Sequence, residues 1–467
     1  MDQKSKSTLI IDLDGTLIKT DLLFESAIRL IKKNPFYIFL LIFWLLKGRA
    51  NLKDKIASRV DLRVDLLPYR SQIIDIIRSH QGKKVLATAS NYRYAKAVAD
   101  HLGIFDEIIA SDAVTNLKGK QKAKIIIEKF GTDFEYIGDS EADIPIWQKA
   151  QLGFVINPNN HLQKKISRLE NMHIINDDST PSLKAIFALI RIHQWSKNIL
   201  LFLPLIGAHE LLNTSFLIKT LSGFFSFSLC ASSVYILNDL LDLEEDRSHK
   251  TKKLRSLASG QIKISTSIFI IPTLMLVSIL IALSLNLQFL IWLFIYYSLT
   301  FFYTILLKRI VILDTIILTG LYIIRIISGA AINNIKITFW FLAFAVFLFF
   351  SLAIIKRFVE VNESSHTATK RGYEDIDISL ISISGITSSY ISILIMMLYL
   401  YNHSNSIVEQ NPILLLILCF IMLYGYSRIW LFAYRKKLND DPVVFILKDK
   451  ISMILGLASG LIVFLLT

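Results

Sequence analysis

Cysteine, proline and charge are all scarce in this chain of 467 residues. It contains two cysteines, nine prolines and 19% charged residues. Cys230 and Cys419 both lie inside apolar runs, so the sequence predicts no framework of disulfides. The hydrophobic content of 53% excludes an ordinary soluble protein.

The net charge of +13 suggests nucleic-acid binding until the positions of the basic residues are considered. They lie mainly in segments between apolar runs, which is typical of membrane topology. We therefore expect contact with membrane lipid and no nucleic-acid partner. Residues 1–7 are polar and lead directly into a predicted strand, so we expect no cleavable signal peptide and a cytoplasmic N-terminal region.

The apolar residues divide the chain into two predicted domains. Residues 1–160 alternate strand and helix patterns, as in an α/β domain with a parallel sheet, and residues 22–83 would form an inserted cap. Residues 161–186 are polar and predict a linker, whereas residues 187–467 predict an all-α polytopic membrane domain. About nine spans are expected, roughly at 188–207, 216–238, 265–283, 286–306, 310–331, 338–355, 378–400, 412–433 and 450–467.

The basic residues also predict how these spans are oriented. With the N-terminus inside, the cytoplasmic loops between the predicted spans hold 17 basic residues, against Lys336 alone in the outer loops. This predicts an integral protein of the inner or plasma membrane whose C-terminus is outside. The residues assigned to the cytoplasmic loops are Arg247, Lys250, Lys252, Lys253, Arg255, Lys263, Lys308, Arg309, Lys356, Arg357, Lys370, Arg371, Arg435, Lys436, Lys437, Lys448 and Lys450.

One more apolar segment, shorter than the predicted spans, lies inside the predicted cap. Pro35 to Leu46 is almost purely apolar but too short to cross a bilayer. Two interpretations stay open, a buried helix of the cap and a helix that rests on the membrane face.

Five acids stand at the end of the second predicted span, between Asn238 and Asp246. Carboxylates at a bilayer boundary are costly. On a helix, Asn238, Asp242 and Asp246 would share one face, and oxygen ligands on one face suit Mg²⁺. A solvated acidic loop is the alternative, because Arg247 and Lys250 follow closely.

Two further acidic motifs end predicted strands in the first 160 residues. The motif at 12–16 is DLDGT, and the motif at 138–143 is GDSEAD. Ligand sites in open parallel sheets lie at the carboxyl ends of the strands. We therefore expect the two motifs to converge.

This pattern resembles the haloacid dehalogenase superfamily over about the first 160 residues. The resemblance implies that Asp12 is a nucleophile that becomes phosphorylated and that Asp14 is the general acid/base. It also implies that Mg²⁺ is held by carboxylates. The implied metal ligands are Asp12, Asp14, Asp139 and Asp143.

Two more elements of the superfamily occur in the expected order. Ser90, in the segment Thr88-Ala89-Ser90, is the expected hydroxyl. Lys118 is the expected substrate-binding lysine, and Lys122 is the alternative. A degenerate relic without catalytic activity is the other interpretation, although none of the expected acids is missing.

Residues 187–467 resemble the UbiA superfamily of intramembrane prenyltransferases. The hallmark NDxxDxxxD of that superfamily matches Asn238, Asp239, Asp242 and Asp246. The resemblance implies catalytic roles for Asp239 and Asp242, and Mg²⁺ ligands at Asn238, Asp242 and Asp246 that bind a diphosphate. Where a second acidic motif is expected, the chain has Tyr303, Lys308, Arg309 and Asp314.

The chain thus departs from the superfamily pattern at the second motif. In this it resembles one branch of the superfamily, the decaprenyl-phosphate phosphoribosyltransferases. The resemblance includes QWSKN at 194–198, the extended run at 238–261, Lys356-Arg357 and DPVVF at 441–445. Members of that branch transfer 5-phosphoribose from phosphoribosyl pyrophosphate to a polyprenyl phosphate and release diphosphate. The resemblance implies both substrates and Mg²⁺ for this chain.

The phosphate groups of such substrates require basic partners. Arg325 lies three helical turns after Asp314, about 16 Å deeper, so the two cannot pair, and an arginine at that depth needs a cavity or another partner. Arg428 is a weaker candidate of the same kind. For the lysines and arginines at helix ends, snorkelling or topology is the alternative. The substrate-binding candidates of this domain are Lys197, Asn238, Tyr303, Lys308, Asp314, Arg325, Lys356 and Arg357.

The fusion of the two domains predicts a bifunctional enzyme. The membrane domain would make a lipid-linked 5-phosphoribose, and the N-terminal domain would remove the 5-phosphate. Prenyl transfer to an aromatic or quinone precursor is the alternative. A transporter with a regulatory domain is less consistent with the few prolines and the lack of an obvious repeat in the membrane half. The sequence leaves open whether the protein forms a homo-oligomer.

Overall fold

The computed structural model describes residues 7–177, 182–363, 372–403, 411–438 and 442–466. The chain forms two compact units. The first unit comprises Met1–Ile190 and Tyr235–Ile271, and the second comprises Arg191–Val234 and Pro272–Thr467. Among the residues used in the sequence predictions, Lys370, Arg371 and Asp441 lie outside the described residues.

The first unit is built on a six-stranded parallel sheet. Its strands are β1 (Thr8–Ile11), β2 (Lys84–Asn91), β3 (Glu107–Ser111), β4 (Phe134–Gly138), β5 (Leu152–Ile156) and β6 (Met172–Ile175). Their order in the sheet is β3-β2-β1-β4-β5-β6, and every paired strand is parallel to its neighbour. The order places β1 between β2 and β4, so the loops after these three strands are neighbours.

Hydrophobic clusters cover both faces of this sheet. Leu9 and Ile11 of β1 pack into one cluster, and Ile10 between them packs into the other. A strand that is buried on both faces is expected to be continuously apolar. The predicted parallel α/β domain is confirmed. Its helices are α1 (Leu22–Lys33), α2 (Tyr37–Leu46), α3 (Arg49–Ala57), α4 (Ser71–Ser79), α5 (Tyr92–Leu102), α6 (Lys120–Phe130), α7 (Ile144–Trp147), α8 (Asn160–Ile166) and α9 (Leu183–Leu189).

The insertion between β1 and β2 divides into two parts. Helices α1, α2 and α3 share a small core around Leu30, Trp44 and Ile56. Helix α4 instead packs against the sheet through Ile73 and Ile77. The cap is therefore shorter than the predicted 22–83, because its last helix belongs to the sheet layer.

The sheet also continues into the region predicted as a linker. Helix α8 and strand β6 lie within residues 161–186 or at their border, and β6 pairs with β5 from Gly153↔Met172 to Ile156↔Ile175. Strand β6 is a short edge strand in which His173 and Ile174 are exposed. Such a strand has weak apolar patterning, so the sequence did not predict that the sheet domain extends beyond residue 160.

The second unit is helical. Of the remaining helices, α12 lies in the first unit, α11 and α13 have residues in both units, and the others lie in the second unit. They are α10 (Leu203–Gly207), α11 (Thr214–Leu241), α12 (Leu243–Ser248), α13 (Ile264–Leu285), α14 (Leu287–Ile305), α15 (Leu313–Asn333), α16 (Phe339–Glu363), α17 (Ile378–His403), α18 (Pro412–Tyr434), α19 (Pro442–Lys448) and α20 (Lys450–Leu466). Short 3₁₀ helices lie at Val64–Leu66, Glu141–Asp143, Ile192–Phe202, Lys252–Leu254, Leu307–Arg309 and Asp375–Asp377.

Seven of the helices in the described residues are long and apolar enough to cross a membrane. They are α11, α13, α14, α15, α16, α17 and α18. Seven of the about nine predicted spans correspond to these helices. The last predicted span corresponds to α20, an apolar helix of 17 residues.

The first predicted span, at 188–207, is a broken segment. It comprises the end of α9, the 3₁₀ helix Ile192–Phe202 and the five-residue α10. Asn198 of this segment is buried and donates to Ser228 Oγ of α11 at 2.9 Å. This polar side chain thus finds a partner inside the protein, which an apolar count cannot show.

Candidate active sites

The first site lies where β1, β2 and β4 end. Asp12 and Asp14 follow β1 on a turn in which Gly15 has a φ of +77°. A Cβ at Gly15 would collide with the carboxylate of Asp139, which follows β4. The turn therefore needs glycine both for its left-handed backbone and for the close approach of the two motifs. The predicted convergence of the motifs is present in the structure.

Asp14 is held by the neighbouring strand and by the start of α1. Ser90 Oγ donates to Asp14 Oδ2, and the backbone N–H of Leu22 donates to Asp14 Oδ1 at 2.8 Å. Burial raises the pKa of the Asp14 carboxyl, and nearby Asp21 raises it further. A carboxyl group with a raised pKa can hold a proton near neutral pH, as a general acid requires.

The lysine beside Asp12 is Lys122. Its Nζ donates to Asp12 Oδ1 at 2.7 Å and lies 3.8 Å from Asp143 Oδ1. Lys118, the first choice from the sequence, is exposed in the loop before α6. The structure thus brings Lys122, the alternative named from the sequence, to Asp12, because α6 begins at Lys120 and buries Lys122 and Ile126 on one face. The role of either lysine in substrate binding stays a prediction.

Three carboxylates form a compact oxygen cluster. Ligand atoms of Asp12, Asp139 and Asp143 lie within 4.8 Å of one another, and this is the one such group among the described residues. Tyr136 Oη donates to Asp143 Oδ1 at 2.7 Å, and Ser140 donates to Asp143 Oδ2 at 3.0 Å from its hydroxyl. This all-oxygen set fits Mg²⁺. Asp14, also predicted as a ligand, lies outside the group of three.

Two basic residues near this site were not predicted from the sequence. Lys53 of α3 donates to the carbonyl of Ala89 and to Asn116 Oδ1 at 3.0 Å, and burial lowers the pKa of Lys53. Arg70 donates to the carbonyl of Gly15 at 3.2 Å. Neither belongs to a motif, and residues 22–83 contain many other basic residues, so the sequence carried no signal for them.

The acidic run after α11 is folded differently from the predicted continuous helix. The helix breaks at Asp242, which precedes α12. Asp239 and Asp246 come together instead, since Arg255 Nη1 lies 3.2 Å from Asp239 Oδ1 and 2.6 Å from Asp246 Oδ2. Asp239 is 5% exposed and Asp246 is 4% exposed, so the alternative of a solvated loop does not describe these two.

The other acids of the run face basic residues of α1. Lys32 Nζ lies 3.7 Å from Asp242 Oδ1 and 2.5 Å from Glu245 Oε1, and Arg29 pairs with Glu244. Asn238 is half-buried. Of the three ligands predicted on one face, Asp242 and Asp246 thus contact different basic neighbours, Lys32 and Arg255. Oxygen donors from the run remain suited to Mg²⁺, which commonly uses one or two carboxylates together with substrate phosphates.

In the second unit, Asp314 is fully buried near the start of α15. Arg357 Nε donates to Asp314 Oδ2, and Tyr373 Oη donates to Asp314 Oδ1 at 2.6 Å. Arg357 also donates to Tyr303 Oη at 3.2 Å and to Glu360. Three predicted residues, Tyr303, Asp314 and Arg357, are therefore brought together, and both oxygens of Asp314 already accept protein hydrogen bonds.

Arg325 lies in a separate buried site of the same unit. It donates to Asn198 Oδ1 at 2.9 Å, to the Leu321 carbonyl at 2.6 Å and to Tyr296 Oη at 3.1 Å. The guanidinium also lies 4.9 Å from the Tyr296 ring centroid. It does not pair with Asp314, as expected, and its partners join α15 to the broken segment. These contacts favour a packing role, and substrate binding by Arg325 stays a prediction.

The remaining basic candidates are distributed along the second unit. Lys197, Lys308 and Lys356 are half-buried, and their roles stay predictions. Arg428 forms a salt bridge with Asp449 at 2.6 Å, so a structural partner accounts for its charge.

Comparison with known proteins decides the family of the chain. The profile of the UbiA prenyltransferase family matches residues 199–454, which is more than half of the chain. The chain belongs to the UbiA prenyltransferase family. With its seven candidate spans, this UbiA-family chain is an integral membrane protein.

Relatives of this UbiA-family chain extend the comparison. The uncharacterized protein y4nM of Sinorhizobium fredii is 35% identical over 460 residues, which cover 97% of this chain and 89% of y4nM. The nodulation protein NoeC of Azorhizobium caulinodans is 31% identical over 284 residues, which cover 58% of this chain and 90% of NoeC. The decaprenyl-phosphate phosphoribosyltransferase of Mycolicibacterium smegmatis is 30% identical over 185 residues, which cover 39% of this chain and 58% of that enzyme. The predicted similarity to this branch is confirmed.

Proposed function

We propose that this UbiA-family membrane enzyme transfers 5-phosphoribose from phosphoribosyl pyrophosphate to a polyprenyl phosphate. A phosphate oxygen of the lipid forms a bond to the anomeric carbon of ribose, and the bond from that carbon to diphosphate breaks. Diphosphate leaves with the electron pair. The similarity to decaprenyl-phosphate phosphoribosyltransferases supports this reaction.

The observation that carries the proposal is that the carboxylate of Asp314 is occupied by hydrogen bonds from protein side chains. Both of its oxygens accept hydrogen bonds, one from Arg357 and one from Tyr373. Asp314 and its partner Arg357 are both fully buried, at 0% and 1% side-chain exposure, whereas Arg255, which pairs with Asp239 and Asp246, is 31% exposed. Asp314 is therefore less available than the acidic run as a metal ligand of the kind that an allylic diphosphate site would use. The pairing favours a donor whose diphosphate is bound by the acidic run alone.

In this proposal the acidic run binds the diphosphate of the donor. Asn238, Asp239, Asp242 and Asp246 would hold Mg²⁺, which when bound supplies charge neutralisation for the diphosphate leaving group. Arg255, which contacts Asp239 and Asp246, would exchange these carboxylates for phosphate oxygens, since guanidinium groups bind both.

We further propose that the N-terminal domain removes the 5-phosphate from the lipid-linked product. An oxygen of Asp12 attacks phosphorus, the ester bond to ribose breaks, and Asp14 gives its proton to the departing ribose hydroxyl. Water then attacks the phosphorus of the aspartyl phosphate and Asp14 takes the proton, while the bond between phosphorus and the Asp12 oxygen breaks. Inorganic phosphate leaves and the Asp12 carboxylate is regenerated. Lys122 and Ser90 hold Asp12 and Asp14 in place.

A second candidate reaction is prenyl transfer from an allylic polyprenyl diphosphate to an aromatic or quinone precursor. The family to which the chain belongs favours it, since that family is described by prenyl transfer. The two candidates differ in the compound that carries the diphosphate. In the first it is the sugar, and in the second it is the lipid.

One assay on the full-length protein in lipid nanodiscs with Mg²⁺ separates these reactions. Ribose-labelled phosphoribosyl pyrophosphate is offered with polyprenyl phosphate, and in parallel a labelled allylic polyprenyl diphosphate is offered with an aromatic acid. We expect label to enter the lipid phase only in the first reaction, and Asp239→Asn to abolish that transfer. Product formed only from the allylic diphosphate would replace the proposal with the second candidate.

A further inference from the structure

A loop that follows the acidic run reaches the site on the parallel sheet. Residues 249–263 connect α12 to α13 and belong to the same compact unit as the sheet. At the end of this loop, Lys263 Nζ lies 3.5 Å from Asp139 Oδ2. The Lys263 side chain is 69% exposed, so its ammonium group remains accessible to a ligand.

The loop is anchored to the cap by a buried ion pair. Arg247 Nη2 lies 2.6 Å from Glu25 Oε1, and the two side chains are 6% and 5% exposed. Thr20 Oγ1 donates to the same carboxylate at 2.7 Å, and Arg247 Nε donates to the carbonyl of Ala258 at 3.0 Å. One arginine therefore ties helix α12, the loop and the cap together, with the hydrogen bonds that a buried charge needs.

Close packing fixes the part of the loop that precedes Lys263. Gly260 has a φ of +73°, and a Cβ there would collide with Lys19. Leu257 and Ile262 on either side of it are buried. The loop is thus a packed part of the sheet domain, and the position of Lys263 follows from that packing.

We propose that Lys263 is a substrate-binding residue of the phosphatase site, contributed by the segment that follows the acidic run. The proposal rests on the proposed phosphatase function. The carboxylates of Asp12, Asp139 and Asp143 give the site a negative charge, so an anionic phosphate monoester needs positive charge at the entrance. Lys263 supplies an ammonium donor there, and Lys122 is buried against Asp12 on the inner side.

This assignment makes the phosphatase site depend on a segment between two membrane spans. The loop leads directly into α13, which is a candidate span. The substrate class is then a phosphate monoester presented close to the membrane, as a lipid-linked sugar phosphate would be.

The test uses the full-length protein in nanodiscs and compares Lys263→Ala with wild type. We measure hydrolysis of p-nitrophenyl phosphate and, separately, binding of inorganic phosphate by calorimetry. Loss of one charge-assisted hydrogen bond should raise KM and weaken phosphate binding by about tenfold, with a much smaller change in kcat. Lys263→Arg should recover most of the loss, and Lys253→Ala, an exposed lysine of the same loop, should behave as wild type.

Unchanged phosphate affinity in Lys263→Ala would overturn the assignment. The calorimetric measurement does not depend on turnover. A wild-type protein that binds phosphate through Lys263 but hydrolyses no monoester would therefore contradict the proposed phosphatase function and leave the binding assignment standing.

A separate observation concerns the cap helix α2. Trp44 is its one buried residue, and Tyr37 and Leu41 are partly buried against the same core. The interpretation of α2 as a buried cap helix accounts for these three side chains and leaves the rest of the helix exposed. Exposed basic residues Lys33, Lys47 and Arg49 flank the helix. The exposed large apolar residues of this patch are Phe36, Ile38, Phe39, Leu40, Ile42, Phe43, Leu45 and Leu46.

We infer that α2 lies in the surface of the bilayer that the same chain spans. A soluble surface seldom exposes so many contiguous apolar side chains, whereas an interfacial helix places them among lipid tails. Basic residues at both ends match anionic lipid headgroups. At ten residues the helix is too short to span, so it would lie along the surface.

Spin labels test this inference in full-length protein with both native cysteines replaced by alanine. One variant carries a nitroxide at Phe39→Cys and the control carries it at Val114→Cys, an exposed apolar residue far along the same unit. In anionic nanodiscs the label at 39 should collide with oxygen and be protected from a water-soluble nickel complex, and the label at 114 should show the reverse. Equal access of nickel to both labels, or a label at 39 shielded from both reagents by protein, would overturn the inference.

Discussion

At the residue scale, the first candidate site brings together acidic side chains from the ends of neighbouring strands. Asp12, Asp14 and Asp139 follow strands that are neighbours in the sheet, so their convergence follows from the order of the strands. The choice of the substrate-binding lysine did not follow from the order of the strands. It depended on where α6 begins, and Lys118 and Lys122 differ by about one helical turn.

The different positions of Lys118 and Lys122 give a direct prediction. Lys122→Ala should lower phosphatase turnover by about 100-fold or more, because it removes a positive charge beside the nucleophile. Lys118→Ala should retain near wild-type turnover, since Lys118 is exposed. Initial rates with a phosphate monoester, and a thermal unfolding curve for each variant, check this. A larger loss in Lys118→Ala would restore the choice made from the sequence.

At the element scale, the broken segment at 188–207 shows what apolar length leaves out. Its composition allows a span, but the chain forms a 3₁₀ helix and a short α-helix instead. The approach of the 3₁₀ helix to α15 depends on Gly329, where a Cβ would collide with the backbone of Leu201. Asn198 and Arg325 then join the same two elements through a hydrogen bond of 2.9 Å. None of these contacts has a periodic signal in the sequence.

Two glycines of α15 provide a matched test of this packing. Gly329→Ala should destabilise the protein by about 1–3 kcal/mol, the usual effect of overpacking. Gly320→Ala should be neutral or slightly stabilising, since its Cβ would meet Leu299 Cδ2 at an ordinary 4.0 Å and alanine favours the helix. Thermal unfolding in the same detergent compares them. An equal midpoint for both variants would show that the close approach at Gly329 is absent in solution.

At the scale of the whole molecule, the two compact units do not follow the boundary predicted from composition. The first unit takes in Tyr235–Ile271, which includes the acidic run of the UbiA hallmark. The ion pair Lys32–Glu245 joins that run to the cap of the sheet domain, and Arg247, directly after the run, pairs with Glu25 of the cap. Such long-range pairing is invisible in the sequence, where 222 residues separate Arg247 from Glu25. The membrane orientation inferred from the basic loops stays a prediction.

The central claim is that one chain first makes a phosphoribosylated lipid and then removes its 5-phosphate. The most direct measurement follows phosphoribosyl pyrophosphate labelled at the 5-phosphate, incubated with polyprenyl phosphate, Mg²⁺ and full-length protein. The account predicts that wild type releases the label as inorganic phosphate only when the lipid is present, and that Asp12→Asn leaves it in the lipid phase. Equal release of labelled phosphate by wild type and Asp12→Asn would contradict the account.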